Sequence, residues 1–129
     1  TGLVKYLPQY NFIPEGMKLT RVFELFKIEW KLFILHFAAF VNCKIAKFKV
    51  LSSGERRLVE TYIVLKTENQ MVILDEPFSH LSPLHIKTVK LLISEYKQHK
   101  TIIISDFMYQ HIIDTSYTIY LFKNGTTKK

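Results

Sequence analysis

The chain is 129 residues long, with 48% apolar and 14% aromatic residues, a composition that predicts a folded domain and excludes a disordered segment. Its net charge is +7, and most of the excess lies in residues 1–50, where eight Lys and Arg residues accompany three acids. These cations are scattered among apolar residues, which argues against a nucleic-acid site. The single cysteine, Cys43, excludes an internal disulfide and favours a reducing, cytosolic setting. No apolar stretch is long enough to span a bilayer.

Residues 1–17 are predicted to hold one short strand and a connecting loop. Leu3–Leu7 is apolar enough for a strand, and Pro8 ends it because proline has no N–H group to donate to a neighbouring strand. Gln9 follows directly. A proline and a glycine lie in the next few residues, so a loop is expected up to residue 17.

Residues 18–50 are predicted to form a small helical subdomain, because their apolar residues recur at helical spacing in two groups. Aromatic residues at this spacing are typical of a core, and the lack of an arginine-rich surround argues against a base-stacking platform. The first group is Leu19, Val22, Phe23, Leu25 and Phe26, and the second is Trp30, Phe33, Ile34 and Phe37.

A helix is predicted to begin at Ser52 and to end before Glu68. Ser52 and Glu55 have the spacing of a capping box, in which each side chain accepts a hydrogen bond from the other residue's backbone N–H group. Apolar residues then recur at helical spacing, so one face is expected to be buried. The opposite, solvent-facing side would carry Arg57, Glu60 and Lys66.

A buried strand ending in two acids is predicted next. Met71–Leu74 is a continuous apolar run, which is typical of a strand covered on both faces in a parallel sheet. Asp75 and Glu76 follow it, and Pro77 stops the strand. In open α/β sheets ligands bind beyond the carboxyl ends of the strands, where two acids are well placed to hold a metal ion and a water molecule.

The rest of the chain alternates between helix and strand, which predicts an α/β fold. Ser82 and Pro83 predict the start of a helix that ends near His99, and its buried side is expected to consist of Leu84, Val89, Leu91, Leu92, Ile93 and Tyr96. Thr101–Ser105 predicts a second buried strand, with Asp106 and Phe107 at its carboxyl end. The segments expected after it are a short helix at 108–113, a strand at Tyr117–Phe122 and a hairpin turn at Asn124-Gly125.

The sequence contains, in this order, a Leu-Ser-x-Gly-Glu turn, a helix and an apolar strand closed by Asp-Glu-Pro. This order resembles the signature motif and Walker B motif of ATP-binding cassette (ABC) ATPases. Residues 79–82 correspond to the D-loop, and Gln9 resembles the glutamine of the Q-loop. The short distance from Gln9 to Leu51 leaves no room for a long coiled coil, which distinguishes the chain from SMC-like DNA-repair ATPases.

The resemblance implies a role for each matching residue, with ATP and Mg²⁺ as cofactors. Asp75 would hold Mg²⁺ through water, Glu76 would be the catalytic base, and Gln9 would contact both the metal ion and the attacking water. The nucleotide-binding residues of the signature turn, which would act on a partner subunit's γ-phosphate, are Ser52, Ser53, Gly54 and Glu55. Their position at a helix start suits an anion, because free N–H groups and the positive end of the helix dipole lie there.

Three residues depart from the family pattern. Ser53 occupies the position of a usual glycine, Ser82 that of the D-loop aspartate, and Phe107 the switch-histidine position. The sequence also contains no G-x-x-x-x-G-K-[ST] phosphate loop, which in this family precedes the Q-loop. The expected fold is therefore the C-terminal part of a P-loop NTPase-like ABC core plus a small helical subdomain, without the phosphate-loop half.

By this resemblance the chain divides into a Q-loop strand and connection (1–17), a helical subdomain (18–50), and the signature helix, Walker B strand, D-loop and C-terminal α/β core (51–129). The expected function is that of the ATP-hydrolysing subunit of an ABC-type membrane transporter, with the isolated fragment inactive. Its partners would be a second ATPase subunit in a head-to-tail dimer and a transmembrane subunit, at the cytoplasmic face of the membrane. The alternative is a degenerate, non-hydrolysing ABC module with a structural or regulatory role.

Overall fold

The computed structural model describes residues 4–8, 11–105, 119–123 and 126–128. Five strands form one sheet in the order β1-β2-β3-β4-β5, with β1 to β4 parallel and β5 antiparallel to β4. Their bounds are Val4–Leu7, Met71–Asp75, Thr101–Ser105, Ile119–Lys123 and Thr126–Lys128. The α/β fold class predicted from the alternation of apolar runs and helical periodicity is confirmed.

The strand register places the carboxyl ends of β1, β2 and β3 along the same edge of the sheet. Leu7 lies opposite Leu74, and Asp75 lies opposite Ser105. Val72 and Leu74 are fully buried, whereas Met71 and Ile73 on the other face are only half-buried. In the described residues β2 is therefore fully buried on one face and only half-buried on the other, contrary to the expectation of a strand covered on both faces.

Between β1 and β2 the chain forms three α-helices, α1 (Leu19–Leu25), α2 (Trp30–His36) and α3 (Ser53–Lys66), and two short 3₁₀ helices at Ala38–Phe40 and Phe48–Val50. The aromatic residues form a core, as predicted. Phe33 is fully buried, and its ring centroid lies 5.1 Å from that of Phe23 and 5.0 Å from that of Tyr62, both in edge-on contacts.

Helix α1 ends at Leu25, one residue before the last apolar residue of its pattern, Phe26. It ends in a Schellman cap, a motif that usually has glycine at its left-handed position. Lys27 has a φ of 56°, in the left-handed region. The N–H group of Lys27 donates to Glu24 O and that of Ile28 donates to Phe23 O, which are the two hydrogen bonds of a Schellman cap. Leu25 was expected on the buried face but is 51% exposed, because the chain turns away after it.

Helix α3 begins as predicted, at a complete capping box. Glu55 N donates to Ser52 Oγ at 3.2 Å, and Ser52 N donates to Glu55 Oε1 at 2.7 Å. The prediction of one solvent-facing side is wrong for Arg57 and Glu60, which are 4% and 0% exposed. The reason is that α3 is enclosed by the sheet, the aromatic core and the helix that follows β2, so residues 57–65 are all buried.

Helix α4 (Pro83–Tyr96) follows β2, and its start is also confirmed, since Ser82 Oγ accepts a hydrogen bond from His85 N. Val89, Leu92 and Ile93 face the core, but Leu84 and Leu91 are 70% and 64% exposed, contrary to prediction. Those two leucines are seven residues apart and share the outer side of the helix, where the described residues provide no covering element. In the described part of the chain, no helix is long and apolar enough to cross a membrane.

Candidate functional site

The described site lies at the carboxyl end of β2, where Asp75 is the last strand residue and Glu76 the first residue beyond it. Both are half-buried. The Tyr6 hydroxyl on β1 donates to Asp75 Oδ2 at 3.0 Å, so the neighbouring strand orients this carboxylate. Glu76 N donates to Ser105 O at the end of β3 at 2.6 Å. Three adjacent strands thus contribute to one small polar region at the sheet edge.

Glu76 has an unusual backbone conformation, with a φ of 54°. A side chain larger than that of glycine rarely adopts this left-handed region, and such strain persists only when surrounding contacts hold it. The carbonyl oxygen of Glu76 accepts from Ser79 N at 3.3 Å, which closes the loop after the strand. The chain therefore turns sharply at the residue predicted to be the catalytic base.

Arg57 on α3 contacts the same region. Its guanidinium donates to three backbone carbonyl oxygens, those of Pro8 after β1, Asp75 and Glu76, the last at 3.1 Å from Nε. A buried cation must be compensated by hydrogen bonds, and these three carbonyls supply them. The end of β1, the end of β2 and helix α3 are consequently joined through one side chain.

Glu60, one turn further along α3, holds the loop after β1. Its Oε2 accepts from Phe12 N at 2.7 Å and from Ile13 N at 3.1 Å. Burial raises the pKa of the Glu60 carboxyl, while these two backbone N–H groups and the nearby cations Arg57 and Arg56 act in the opposite direction.

The sequence reasoning missed both Arg57 and Glu60 as site residues. One signal could have revealed them: Tyr62, Ile63, Val64 and Leu65 are consecutive and apolar, so they cover every side of a helix and leave no solvent-facing side. A charged residue on such a helix is expected to be buried and to have hydrogen-bonding partners.

The predicted nucleotide-binding turn begins α3 next to the loop that follows the acids. Ser52 and Ser53 are exposed, and Gly54 lies so close to this loop that a Cβ atom on it would be 2.4 Å from His80 O. Only glycine permits this approach without movement of the backbone. His80 itself has a φ of 64°. The start of α3 and the loop after β2 are therefore in direct contact at His80.

The residues at the sheet edge fit a magnesium ion. Mg²⁺ prefers oxygen ligands and is usually held by one or two carboxylates together with waters and substrate phosphates. Asp75 offers such a carboxylate, half-buried and oriented by Tyr6. Within the described ranges no three His, Cys, Asp or Glu side chains gather as a metal cage, so an ion here would need ligands from a bound phosphate or water.

The start of α3 also fits an anion. Ser53 and Gly54 are in the first turn, where backbone N–H groups have no intrahelical acceptor. The N–H group of Ser52, by contrast, already donates to Glu55. Two other predicted site residues, Gln9 and Phe107, lie outside the described residues, as do Asp106, the segment 108–113 and Asn124-Gly125.

Comparison with known proteins gives sequence relatives for this chain, although no protein-family model matches it. An uncharacterized ABC transporter ATP-binding protein of Methanocaldococcus jannaschii is 33% identical over 85 residues, which are 65% of this chain and 32% of that protein. The lipopolysaccharide export system ATP-binding protein of Haemophilus influenzae is 28% identical over 78 residues, which are 60% of this chain and 32% of that protein. The matched part of the chain spans about a third of the length of these curated relatives.

Solved structures share the fold. The ATP binding subunit of an ABC transporter superposes with a TM-score of 0.81 at 18% identity, over 98% of this chain and 59% of that chain. A structure of RNase-L Inhibitor superposes with a TM-score of 0.70 at 22% identity, over 94% of this chain and 25% of that chain. At these identities the likeness concerns the fold alone.

The parallel sheet, the capped helix α3 and the acids ending β2 define an α/β domain with an acidic strand end at the edge of its sheet. The chain is similar in sequence to ATP-binding proteins of transport and export systems, and this similarity confirms the resemblance to ABC-type ATPases drawn from the signature turn and the Walker B strand.

Proposed function

We propose that this chain is part of the ATP-binding and ATP-hydrolysing subunit of an ABC-type membrane transporter. The observation that carries the proposal is the junction of two elements at one sheet edge: the acids Asp75 and Glu76 end β2, and the turn that starts α3 contacts the loop after them through Gly54. The names of the two curated relatives, both ATP-binding proteins of transport or export systems, support the same function.

In this proposal each side chain at the edge has a distinct task. Bound MgATP would supply the reacting phosphate and the charge of the metal ion. Asp75, oriented by Tyr6, offers its carboxylate to the metal ion or its waters. Glu76 accepts a proton from the attacking water as a general base. By the resemblance, Gln9 would contact the metal ion and the attacking water.

The partners in this proposal follow from the exposed start of α3. Ser52 and Ser53 face solvent and, with Gly54 and Glu55, would contact the γ-phosphate held by a second ATPase subunit in a head-to-tail dimer. A transmembrane subunit at the cytoplasmic face of the membrane completes the proposed transporter. Residues 1–17, 18–50 and 51–129 are proposed as the Q-loop segment, the helical subdomain and the signature-to-C-terminal core.

The test is the substitution Glu76→Gln in the purified full-length protein, because glutamine keeps the shape of the side chain but removes the base. We expect ATP binding to persist while steady-state hydrolysis falls by about 10²–10⁴-fold, the range typical for loss of a general base. Glu68→Gln, at an exposed acid outside the site, is the matched control and should hydrolyse at the parent rate. Equal rates for Glu76→Gln and the parent would refute the role of Glu76, and a parent without hydrolysis would favour the degenerate, non-hydrolysing module.

A further inference from the structure

The backbone of Glu76 is held at both of its polar groups. Its N–H group donates to Ser105 O at 2.6 Å, and its carbonyl oxygen accepts from Arg57 Nε at 3.1 Å. Between these two contacts the residue has a φ of 54°, which an L-residue avoids in the absence of such restraints. The conformation of the proposed base is therefore imposed by its neighbours.

Arg57 makes one of these two contacts and also holds the residue before Glu76. It donates to the adjacent carbonyls of Asp75 and Glu76 and also to Pro8 O. A planar guanidinium has five N–H donors in a fixed arrangement. It can therefore donate at the same time to the carbonyls of two successive residues, Asp75 and Glu76. No other side chain offers a charged donor set of this geometry: lysine has a single nitrogen, and glutamine has two donors and no charge.

We infer that Arg57 is a positioning residue, which keeps Glu76 in its left-handed conformation and joins the Asp75-Glu76 strand end to helix α3. The consequence for catalysis rests on the proposed function of Glu76 as a base, whereas the effect of Arg57 on the backbone conformation of Glu76 does not. Arg57 is the fifth residue of α3, whose N-cap is Ser52, so the signature turn and the proposed base are linked by a single side chain.

The experiment compares Arg57→Met with Arg56→Met in the 129-residue chain. Arg56 is a matched control, because its guanidinium also donates to backbone carbonyls, those of Leu51 and Lys49, but does not reach β2. The readouts are the ¹³Cα and ¹³Cβ chemical shifts of Glu76, which report its backbone angles, and the hydrogen-exchange protection of its amide. Far-UV circular dichroism and cooperative urea unfolding establish that each variant is folded.

In Arg57→Met we expect Glu76 to lose its left-handed shift pattern and its amide protection to fall by about tenfold or more, the effect of losing a hydrogen bond to a charged donor. Arg56→Met should leave both readouts unchanged. If Arg57→Met does not fold, Arg57→Lys keeps the charge with a single nitrogen and should show the same change to a smaller degree. A folded Arg57 variant that retains the parent shifts and protection overturns the inference, as does an equal change in Arg56→Met.

The chemical shifts and amide protection are measured without nucleotide, so a failure of the positioning role can be distinguished from a failure of the proposed function. Parent-like hydrolysis by Glu76→Gln would refute the proposed function and leave the positioning result intact. Unchanged Glu76 shifts in a folded Arg57 variant would refute the positioning role and leave the proposed function intact.

Discussion

Replacing Gly54 by alanine tests the contact between the signature turn and the loop after β2. The new methyl group would lie 2.4 Å from His80 O, about 1 Å inside an ordinary carbon–oxygen contact. The methyl carbon is fixed by the helix backbone and His80 O by the loop backbone, so relief requires a shift of the helix or the loop. Overpacking of this kind costs about 1–3 kcal/mol. Alanine gains back roughly 0.5–1 kcal/mol relative to glycine within a helix. We therefore expect a net loss of up to about 2.5 kcal/mol in the free energy of unfolding, with a central value of about 1 kcal/mol.

Equilibrium urea unfolding of the 129-residue chain measures this difference, and Gly16→Ala is the matched control. A Cβ atom at Gly16 would meet nothing within 4 Å, so that variant should be as stable as the parent or more stable by up to about 1 kcal/mol. The reasoning is refuted if Gly54→Ala matches Gly16→Ala, since the close approach of the turn to His80 would then have no energetic consequence.

Three further predictions concern other positions. Lys27→Gly should stabilise the chain by roughly 0.5–1 kcal/mol, because glycine adopts the left-handed backbone conformation of this Schellman cap without strain, whereas Lys87→Gly in α4 should destabilise it by about 1 kcal/mol. Urea unfolding of both variants checks this, and destabilisation by Lys27→Gly would contradict it. Because burial raises the pKa of Glu60 above its ordinary 4.5, the stabilising contribution of the protonated Glu60 carboxyl is fully present below pH 4.5 and is lost as the pH rises through the raised pKa. The free energy of unfolding of the parent should therefore fall relative to that of Glu60→Gln between pH 4.5 and neutral pH, and a constant difference would argue against the raised pKa. In the full-length protein, Phe107→His should increase ATP hydrolysis at least about tenfold with little change in ATP affinity, because phenylalanine has no group to donate or accept a proton; equal rates would mean that residue 107 does not face the phosphate.

Local sequence signals predicted three elements of the described fold accurately. The capping box at Ser52, the Ser82-Pro83 helix start and the strand Thr101–Ser105 are encoded by residues a few positions apart, and all three are confirmed. The acids at the end of β2 follow from the same local reasoning, since a strand must end where proline follows.

Features that depend on long-range packing could not be predicted in the same way. Arg57 and Glu60 are buried because the sheet, the aromatic core and α4 all meet α3, and periodicity within one helix does not report how many neighbours it has. Leu84 and Leu91 show the opposite error, because apolar residues on α4 were assumed to be covered. The left-handed φ of Glu76 is imposed by Arg57 and Ser105, which are 19 and 29 positions away in the chain, and so has no local signal.

The far end of α3 is anchored as well, by a residue distant in sequence. Lys100, just before β3, donates from Nζ to Leu65 O at 2.8 Å and to Thr67 O at 3.1 Å, where the negative end of the helix dipole favours a cation. Arg57 near one end and Lys100 at the other therefore attach α3 to the rest of the chain at two separate positions. Rotation of α3 about its own axis would break the hydrogen bonds of Arg57 to the ends of β1 and β2 and those of Lys100 at the start of β3. Burial lowers the pKa of Lys100, which makes this second attachment sensitive to alkaline conditions that leave an ordinary lysine charged.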